Sequence, residues 1–247
     1  MDEPQCAIIA IDGPAGSGKT TLAQGLARRL GIPYLCTGST YRALALKALR
    51  NGINLDDAVE SVRLLKSVTI DIRDIPDGPK SRVFIGDEDV TNELSSKEAS
   101  LAASTISTHA EVRRIMVNLQ RRIIRRLCNE HISAGSDDAL KAVAVEGRDV
   151  GTVIFPEAEV KIYLDAALEE RTRRHMSDMS STKSETVSVM KSIMQRDTRD
   201  IERPVGPLKP APDAIVIDNT NWPASKTLDR ALKIVHQKLR FSSPKTT

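Results

Sequence analysis

The sequence predicts an α/β protein in which helices cover both faces of a five-stranded parallel sheet. One observation is composition: the 247 residues are 40% hydrophobic but only 3% aromatic. The core must therefore be built from Ala, Val, Ile and Leu, which suits a sheet buried on both sides, and the chain is long enough to bury it. Another is order, because β-branched runs alternate with stretches of helical period along most of the chain. The third is the stretch from Ala7 to Thr21, which passes from an apolar run through a glycine-rich turn into a helix.

That stretch also carries chemistry. Gly13, Pro14, Ala15, Gly16, Ser17, Gly18, Lys19 and Thr20 fit G-x-x-x-x-G-K-[ST], the phosphate-cradling P-loop, with Thr21 following. Its glycines let backbone N–H groups turn inward on a polyphosphate, and the helix after them adds its positive end. Lys19 supplies a point charge and Thr20 a hydroxyl for a magnesium ion. A plain glycine turn between strand and helix is the competing reading, but the motif stands in the strand and helix context that confirms it. Nucleoside triphosphate binding follows.

The remaining elements follow in order. Leu22, Leu26, Ala27 and Leu30 keep a helical apolar face that Gly31 ends, and Ile32 to Cys36 reads as a second strand. It stops at the polar Thr37 to Arg42, read as a strand-end turn, beyond which helix runs from Ala43 to Asn51-Gly52 and again from Asp56 to Lys66. From Val68 to Thr91 the period becomes two, around a turn at Pro76 to Pro79, which predicts a small antiparallel sheet inserted into the parallel series. Ser95 to Glu98 and Thr108 to Glu111 read as capping boxes for two helices, the second ending near Cys128. After a loop at Gly135 to Asp138, Ala142 to Val145 and Val160 to Leu164 are further strands, with Asp165 capping a helix. Ser177 to Ser188 reads as a mobile connection, and helix resumes from Val187 to Arg203, where Pro204 halts it. Ala214 to Asp218 is the fifth strand, Leu228 to Leu239 the last helix, and residues 242–247 a disordered tail.

Composition excludes several classes. A formal charge of +3 is too small to argue for nucleic acid, and no window of eighteen apolar residues or secretory leader is present. The Arg121, Arg122, Arg125 and Arg126 cluster reads as a solvated basic face, since no aromatic residue accompanies it to stack bases. Cys6, Cys36 and Cys128 are far apart, so reduced buried thiols are expected, with no disulfide and no zinc. His109, His131, His175 and His236 show no ligand spacing, and Trp222 beside Pro223 reads as packing.

Several strand ends carry Arg or Asp, as phosphoryl transfer requires: its loose transition state needs positioning and spread positive charge more than a strong base. Arg42 and Arg148 lie at such ends and could fork a phosphate. Arg196 with Asp200, and Arg171 with Glu170 or Glu169, read more readily from spacing as surface ion pairs than as ligand clamps. Asp12 or Glu146 could hold magnesium through water or cap a loop.

In order, Gly13 to Thr21, Thr37 to Arg42, Ala102 to Ser104, Glu146 to Pro156 (E-G-R-D-V-G-T-V-I-F-P), Val160 to Asp165 and Arg196 to Asp200 resemble the bacterial-type cytidylate kinases, from about Ala7 to Leu239. The resemblance implies a P-loop kinase fold spanning residues 1–247, with a monophosphate-binding insertion over 43–128 and a lid over 166–204. It implies transfer of the γ-phosphoryl of ATP, with Mg²⁺, to CMP or dCMP. By the same resemblance, Thr37 and Tyr41 are acceptor-pocket residues, while Ser104, Arg113 and Asp149 read cytosine. Arg42, Arg148 and Arg203 clamp the acceptor phosphate, Arg196 and Asp200 meet the sugar, and Arg171 and Arg199 meet the transferred phosphoryl. Lys19 and Arg148 complete the catalytic set. A cytoplasmic monomer with no stable nucleic-acid partner and no membrane is expected. Three positions depart from relatives: Thr37 for Ser, Glu146 for Asp and Cys36 for an acid. The alternatives are another P-loop small-molecule kinase, such as a uridylate or shikimate kinase, or a non-catalytic nucleotide-binding protein. The Gly147-Arg148-Asp149 block and the absence of N-K-x-D count against them.

Overall fold

A computed structural model describes residues 6–73, 81–134, 140–178 and 183–240. Its parallel strands are β1 (Ala7–Asp12), β2 (Tyr34–Cys36), β6 (Ala142–Glu146), β7 (Val160–Asp165) and β8 (Ile215–Asp218), in the spatial order β2-β6-β1-β7-β8. The glycine-loop strand β1 is thus central, with its carboxyl end beside those of β6 and β7. An antiparallel sheet of β3 (Ile70–Arg73), β4 (Arg82–Ile85) and β5 (Glu88–Asp89) stands apart from it, as the change of period predicts.

Strand alternation sorts the apolar residues into two cores. Ile9 and Ile11 of β1, with Ala144 and Ile162, face α1 (Lys19–Leu30) and α8 (Ala224–Arg240) through Leu22, Leu26, Ala231 and Val235. Ile8 and Ala10, with Val143 and Val145, face the other way. They meet α2 (Thr37–Arg50), α4 (Lys97–Ile106) and α5 (Ala110–Ala134) through residues such as Leu44, Ala103 and Ile124, and this core continues under the small sheet through Ile72 and Val83. The remaining helices are α3 (Ala58–Ser67), α6 (Leu168–Asp178) and α7 (Thr186–Glu202), the last two packed on each other. Among the described residues no helix is long and apolar enough to cross a membrane.

Several local expectations are corrected. Thr37 to Arg42 is the opening of α2, which starts directly at the end of β2, so Arg42 lies on a helix. The hydroxyl of Thr40 accepts from Gln120 of α5 and donates to the Thr37 carbonyl, which explains why the polar run coils. The cap of α4 is Ser96, whose side chain accepts from Ala99 N–H, one residue later than the box predicts. Asp165 closes β7 and bonds Ala166 N–H, and α6 begins only at Leu168. Helix α5 runs to Ala134, well past Cys128. The connection read at Ser177 to Ser188 is partly helical, with α6 entering it and a single turn at Lys183–Glu185 leading into α7. The turn at Pro76 to Pro79, the loop at Gly135 to Asp138 and the 242–247 tail lie outside the described residues.

The expectation of three reduced thiols is also overturned: Cys6, just before β1, and Cys128, on α5, form a disulfide with their Cα atoms 5.9 Å apart. A separation of 122 residues hides this proximity, which arises only when α5 is laid across the sheet. Cys36 remains free. The basic face of α5 is corrected too. Arg121 donates to the carbonyls of Val153 and Ile154, and Arg126 to Asp71, Glu130 and the Ile72 carbonyl, so both tie α5 to neighbouring segments.

Candidate active site

The carboxyl ends of β1, β2 and β6 meet in register, with Ile11 and Cys36 both opposite Glu146. Over them opens a cavity of about 510 Å³ whose lining runs from the phosphate loop to Arg113 on one side and Trp222 on the other.

At the loop end, Lys19 is buried and donates to the Pro14 carbonyl at 2.6 Å. Burial, reinforced by the Arg148 charge, pulls its pKa down to about 7. Thr20 donates to Glu146 Oε1 at 2.7 Å, and Tyr34 donates to the same oxygen at 3.2 Å. Burial alone would raise the Glu146 carboxyl, but Lys19 and the hydrogen bonds from Cys36 and Thr20 outweigh it and hold it below the usual range. Asp12 is differently placed: its two oxygens accept the N–H groups of Val150 and Gly151, each at 2.8 Å. That pins the segment after Asp149 to β1, and leaves Asp12 as a loop cap. Burial pushes its pKa up to about 6.

Along the cavity, four arginines converge from three elements: Arg42 from α2, Arg148 from the turn after β6, and Arg196 and Arg203 from α7 and its end. Arg148 Nε donates to Asp200 Oδ2 at 2.9 Å, and Arg203 Nη1 to Asp200 Oδ1 at 3.3 Å. Burial would raise the Asp200 carboxyl, yet Arg148, Arg203 and Arg196 together depress it. For Arg196, burial and the neighbouring Arg148 lower the pKa to about 10. So much convergent positive charge, with too few carboxylates to neutralise it, suits an anionic ligand.

At the far end, Arg113 and Asp149 are almost wholly buried, with Arg113 Nη2 donating to Asp149 Oδ2. Arg203 Nη2 stands 3.4 Å from the other Asp149 oxygen. Gly206, at φ +63°, lies against this pair, where an added Cβ would run into both Asp149 and Arg113, so only glycine serves. Around it the buried polar atoms Tyr41 Oη, Ser104 Oγ and Arg113 Nε have no hydrogen-bond partner among the described residues. Buried polar groups are ordinarily satisfied, and unpaired ones lining a cavity point to a polar ligand.

Most residues singled out from sequence therefore share one cavity: Lys19 and Thr20, with Thr37, Tyr41, Arg42, Ser104, Arg113, Arg148, Asp149, Arg196, Asp200 and Arg203. The Thr37 hydroxyl is already engaged, donating to the Glu146 carbonyl at 2.9 Å. Arg171 and Arg199 stand outside the lining. Arg171 is turned onto Asp197 and the Ala15 carbonyl, and Arg199 is exposed on α7. Arg174 lines the cavity and was missed, lost among the charges of α6. It donates to the Ser17 carbonyl at 3.2 Å and to Asn219 Oδ1 at 2.9 Å, while Asn219 Nδ2 donates to Ser17 as well. Asn219 follows β8 directly, so the strand-end rule could have found it. Trp222 packs against the core on the α1 and α8 side, as read from sequence, and also lines the same end of the cavity, its ring under Lys226 at 4.5 Å from Nζ.

A family model described as cytidylate kinase matches residues 9–237. The chain belongs to the cytidylate kinase family. Similar proteins named cytidylate kinase include one of Thermotoga neapolitana, 40% identical over 236 residues that cover 94% of this chain and 98% of the relative. One of Geobacillus sp. is 40% identical over 233 residues, covering 94% and 97% respectively. One of Vibrio parahaemolyticus is 34% identical over 237 residues, covering 95% and 98%. For a cytidylate kinase family member, two anionic ligands must meet in one cleft, and the phosphate loop and the arginine cluster lie in a single cavity here.

Proposed function

We propose that this cavity transfers the γ-phosphoryl of ATP to CMP or dCMP, giving ADP and CDP or dCDP. The observation that carries the reading is the buried Arg113–Asp149 pair with its unpaired neighbours Tyr41 and Ser104, in the same cavity as the phosphate loop. The pairing edge of cytosine offers one amino donor beside two acceptors, which a carboxylate and a guanidinium together satisfy. Another P-loop kinase or a non-catalytic binder is not favoured, because neither accounts for that pair.

In this reading the loop N–H groups and Lys19 hold the triphosphate, with Arg174 and Asn219 bracing Ser17. Arg42, Arg148 and Arg203 clamp the acceptor phosphate, and Arg196 with Asp200 meets the ribose. Thr37 and Tyr41 shape the pocket, and Ser104, Arg113 and Asp149 read the base. Arg171 and Arg199 are left out of this assignment because neither reaches the cavity. Segment 43–128 serves as the monophosphate-binding lobe and 166–204 as the lid. The Thr20 hydroxyl beside the Glu146 carboxylate offers hard oxygen donors and would hold Mg²⁺ with ATP, whereas both oxygens of Asp12 are consumed by backbone N–H groups. When bound, the ion neutralises phosphate charge. The chain's own part is to align the two phosphates and shield their mutual repulsion, with no dedicated base.

The test is a coupled assay of phosphoryl transfer from ATP to CMP, dCMP, UMP and AMP. Activity confined to the two cytosine nucleotides is expected. Preference for UMP or AMP, or no transfer at all, refutes the reading.

A further inference from the structure

Helices α6 and α7 grip the phosphate loop from outside the cavity at a single residue. Ala15 donates its N–H to Asp197 Oδ1 at 3.0 Å, and its carbonyl accepts from Arg171 Nη1 at 3.0 Å. The same Arg171 nitrogen donates to Asp197 Oδ2, and Arg171 Nε to the Ala166 carbonyl at 2.9 Å. Both side chains are only 11% exposed. At Gly16, φ +73°, an added Cβ would stand 2.8 Å from the Arg171 carbonyl, so α6 sits against the loop more closely than any side chain allows. Ala15 and Gly16 line the cavity, whereas Arg171 and Asp197 do not.

An ion pair that served only to join α6 to α7 would be complete without Ala15. Here both polar groups of one loop residue are drawn into it, one by each helix. Removing the carboxylate would leave the buried Ala15 N–H without its acceptor and the buried Arg171 guanidinium without its counter-charge, held only by the Ala15 and Ala166 carbonyls.

We propose that Asp197 is a positioning residue that, directly and through Arg171, clasps the two backbone polar groups of Ala15, so that docking of α6 and α7 and the shape of the phosphate loop are set together. The inference rests on the CMP kinase reading for its kinetic consequence, while the clasp itself has a readout independent of turnover. Small displacements of a phosphate cradle are costly because transfer depends on alignment.

The experiment compares wild type, Asp197→Ala, Asp197→Asn, Arg171→Ala and the Arg171→Ala/Asp197→Ala double variant. Each is assayed for steady-state kinetics with ATP and CMP and for hydrogen–deuterium exchange in the Ala15 to Gly18 segment. Asp197→Ala should lower kcat on the order of 10-fold to 100-fold, raise KM for ATP and leave KM for CMP within about twofold. Its loop should exchange faster. The double variant should be no worse than the more affected single one, because both remove one unit. Asp197→Asn keeps an acceptor for Ala15 and should fall between Asp197→Ala and wild type in both readouts, and it carries the test where Asp197→Ala fails to fold. Wild-type kcat and loop exchange in Asp197→Ala, or a lowered melting temperature alone, overturns the proposal. So does an Arg171→Ala defect far exceeding that of Asp197→Ala, which would put Arg171 itself on the phosphoryl group. A wild-type protein inactive on CMP would sink the functional reading, and exchange at the loop would still decide the clasp.

Discussion

Arg113 Nη2 donates to Asp149 Oδ2 in an ion pair whose side chains are 2% and 6% exposed, beside the hydroxyls of Tyr41 and Ser104, which find no partner among the described residues. A pair so fully desolvated holds each charge in place for the other, and a base that enters must match what remains unpaired. Uracil brings a carbonyl where cytosine has an amine, and would set a lone pair against the carboxylate. Asp149→Asn should therefore reduce the ratio of kcat/KM for CMP to that for UMP on the order of 10-fold to 100-fold, mostly through loss with CMP. Asp149→Ala should in addition cost about 3–5 kcal/mol of stability by leaving Arg113 buried and unpaired. The coupled assay and chemical denaturation check these, and an unchanged ratio in Asp149→Asn removes Asp149 from base reading.

Asp12 gives a prediction with a sign. Burial raises its pKa from 3.8 to about 6 even though it accepts two backbone N–H groups. Between those values the native state binds more protons than the unfolded chain, so this group's contribution to stability falls as pH rises from about 4 to 6 and is level above that. Asp12→Asn cannot titrate. The stability of wild type relative to Asp12→Asn should decline across that window on the order of 3 kcal/mol, as followed by denaturant melts at several pH values. A constant or rising difference contradicts the assignment.

The Cys6–Cys128 disulfide links the start of β1 to α5, which carries Arg113 four turns earlier on the same rod. Thiol titration of the denatured, unreduced protein should find one free cysteine, Cys36, and reduction should release the other two. Reduction is expected to cost about 2–5 kcal/mol of stability. Three free thiols before reduction would exclude the bond.

The parts legible in the sequence were those set by local pattern. Alternating Ile8, Ile9, Ala10 and Ile11 gave a doubly buried strand, the period-two stretch gave the small sheet, and the glycine loop gave the phosphate end of the site. What depended on packing at long range was hidden. Nothing in a separation of 122 residues brings Cys6 to Cys128, and nothing at Arg171 announces that it faces away from the cavity onto Asp197. Arg42 reads as a turn residue because its neighbours are polar, whereas the Thr40 hydroxyl is spent inside α2 and on Gln120 and the Thr37 hydroxyl on the Glu146 carbonyl. Arg174 reads as one more surface charge until α6 is docked over Ser17.

Lys19 makes the loop a proton acceptor as well as a phosphate cradle. The residue is 5% exposed and its ammonium donates to the Pro14 carbonyl, and burial together with Arg148 draws its pKa from 10.5 to about 7. In the free protein the unfolded chain binds more protons above that value, so this group's contribution to stability rises with pH from about 7 to 10.5. A triphosphate seated on the loop supplies the negative charge Lys19 lacks and restores its ordinary ionisation. Binding of a non-hydrolysable ATP analogue should then take up nearly one proton per site at about pH 8 and almost none at about pH 6. Apparent affinity should weaken towards tenfold per pH unit above about pH 7. Titration calorimetry in two buffers of different ionisation enthalpy reads the proton directly. Lys19→Arg, charged throughout, should show neither the uptake nor that slope, and equal heats for wild type in both buffers at about pH 8 would show that Lys19 is already charged in the free enzyme.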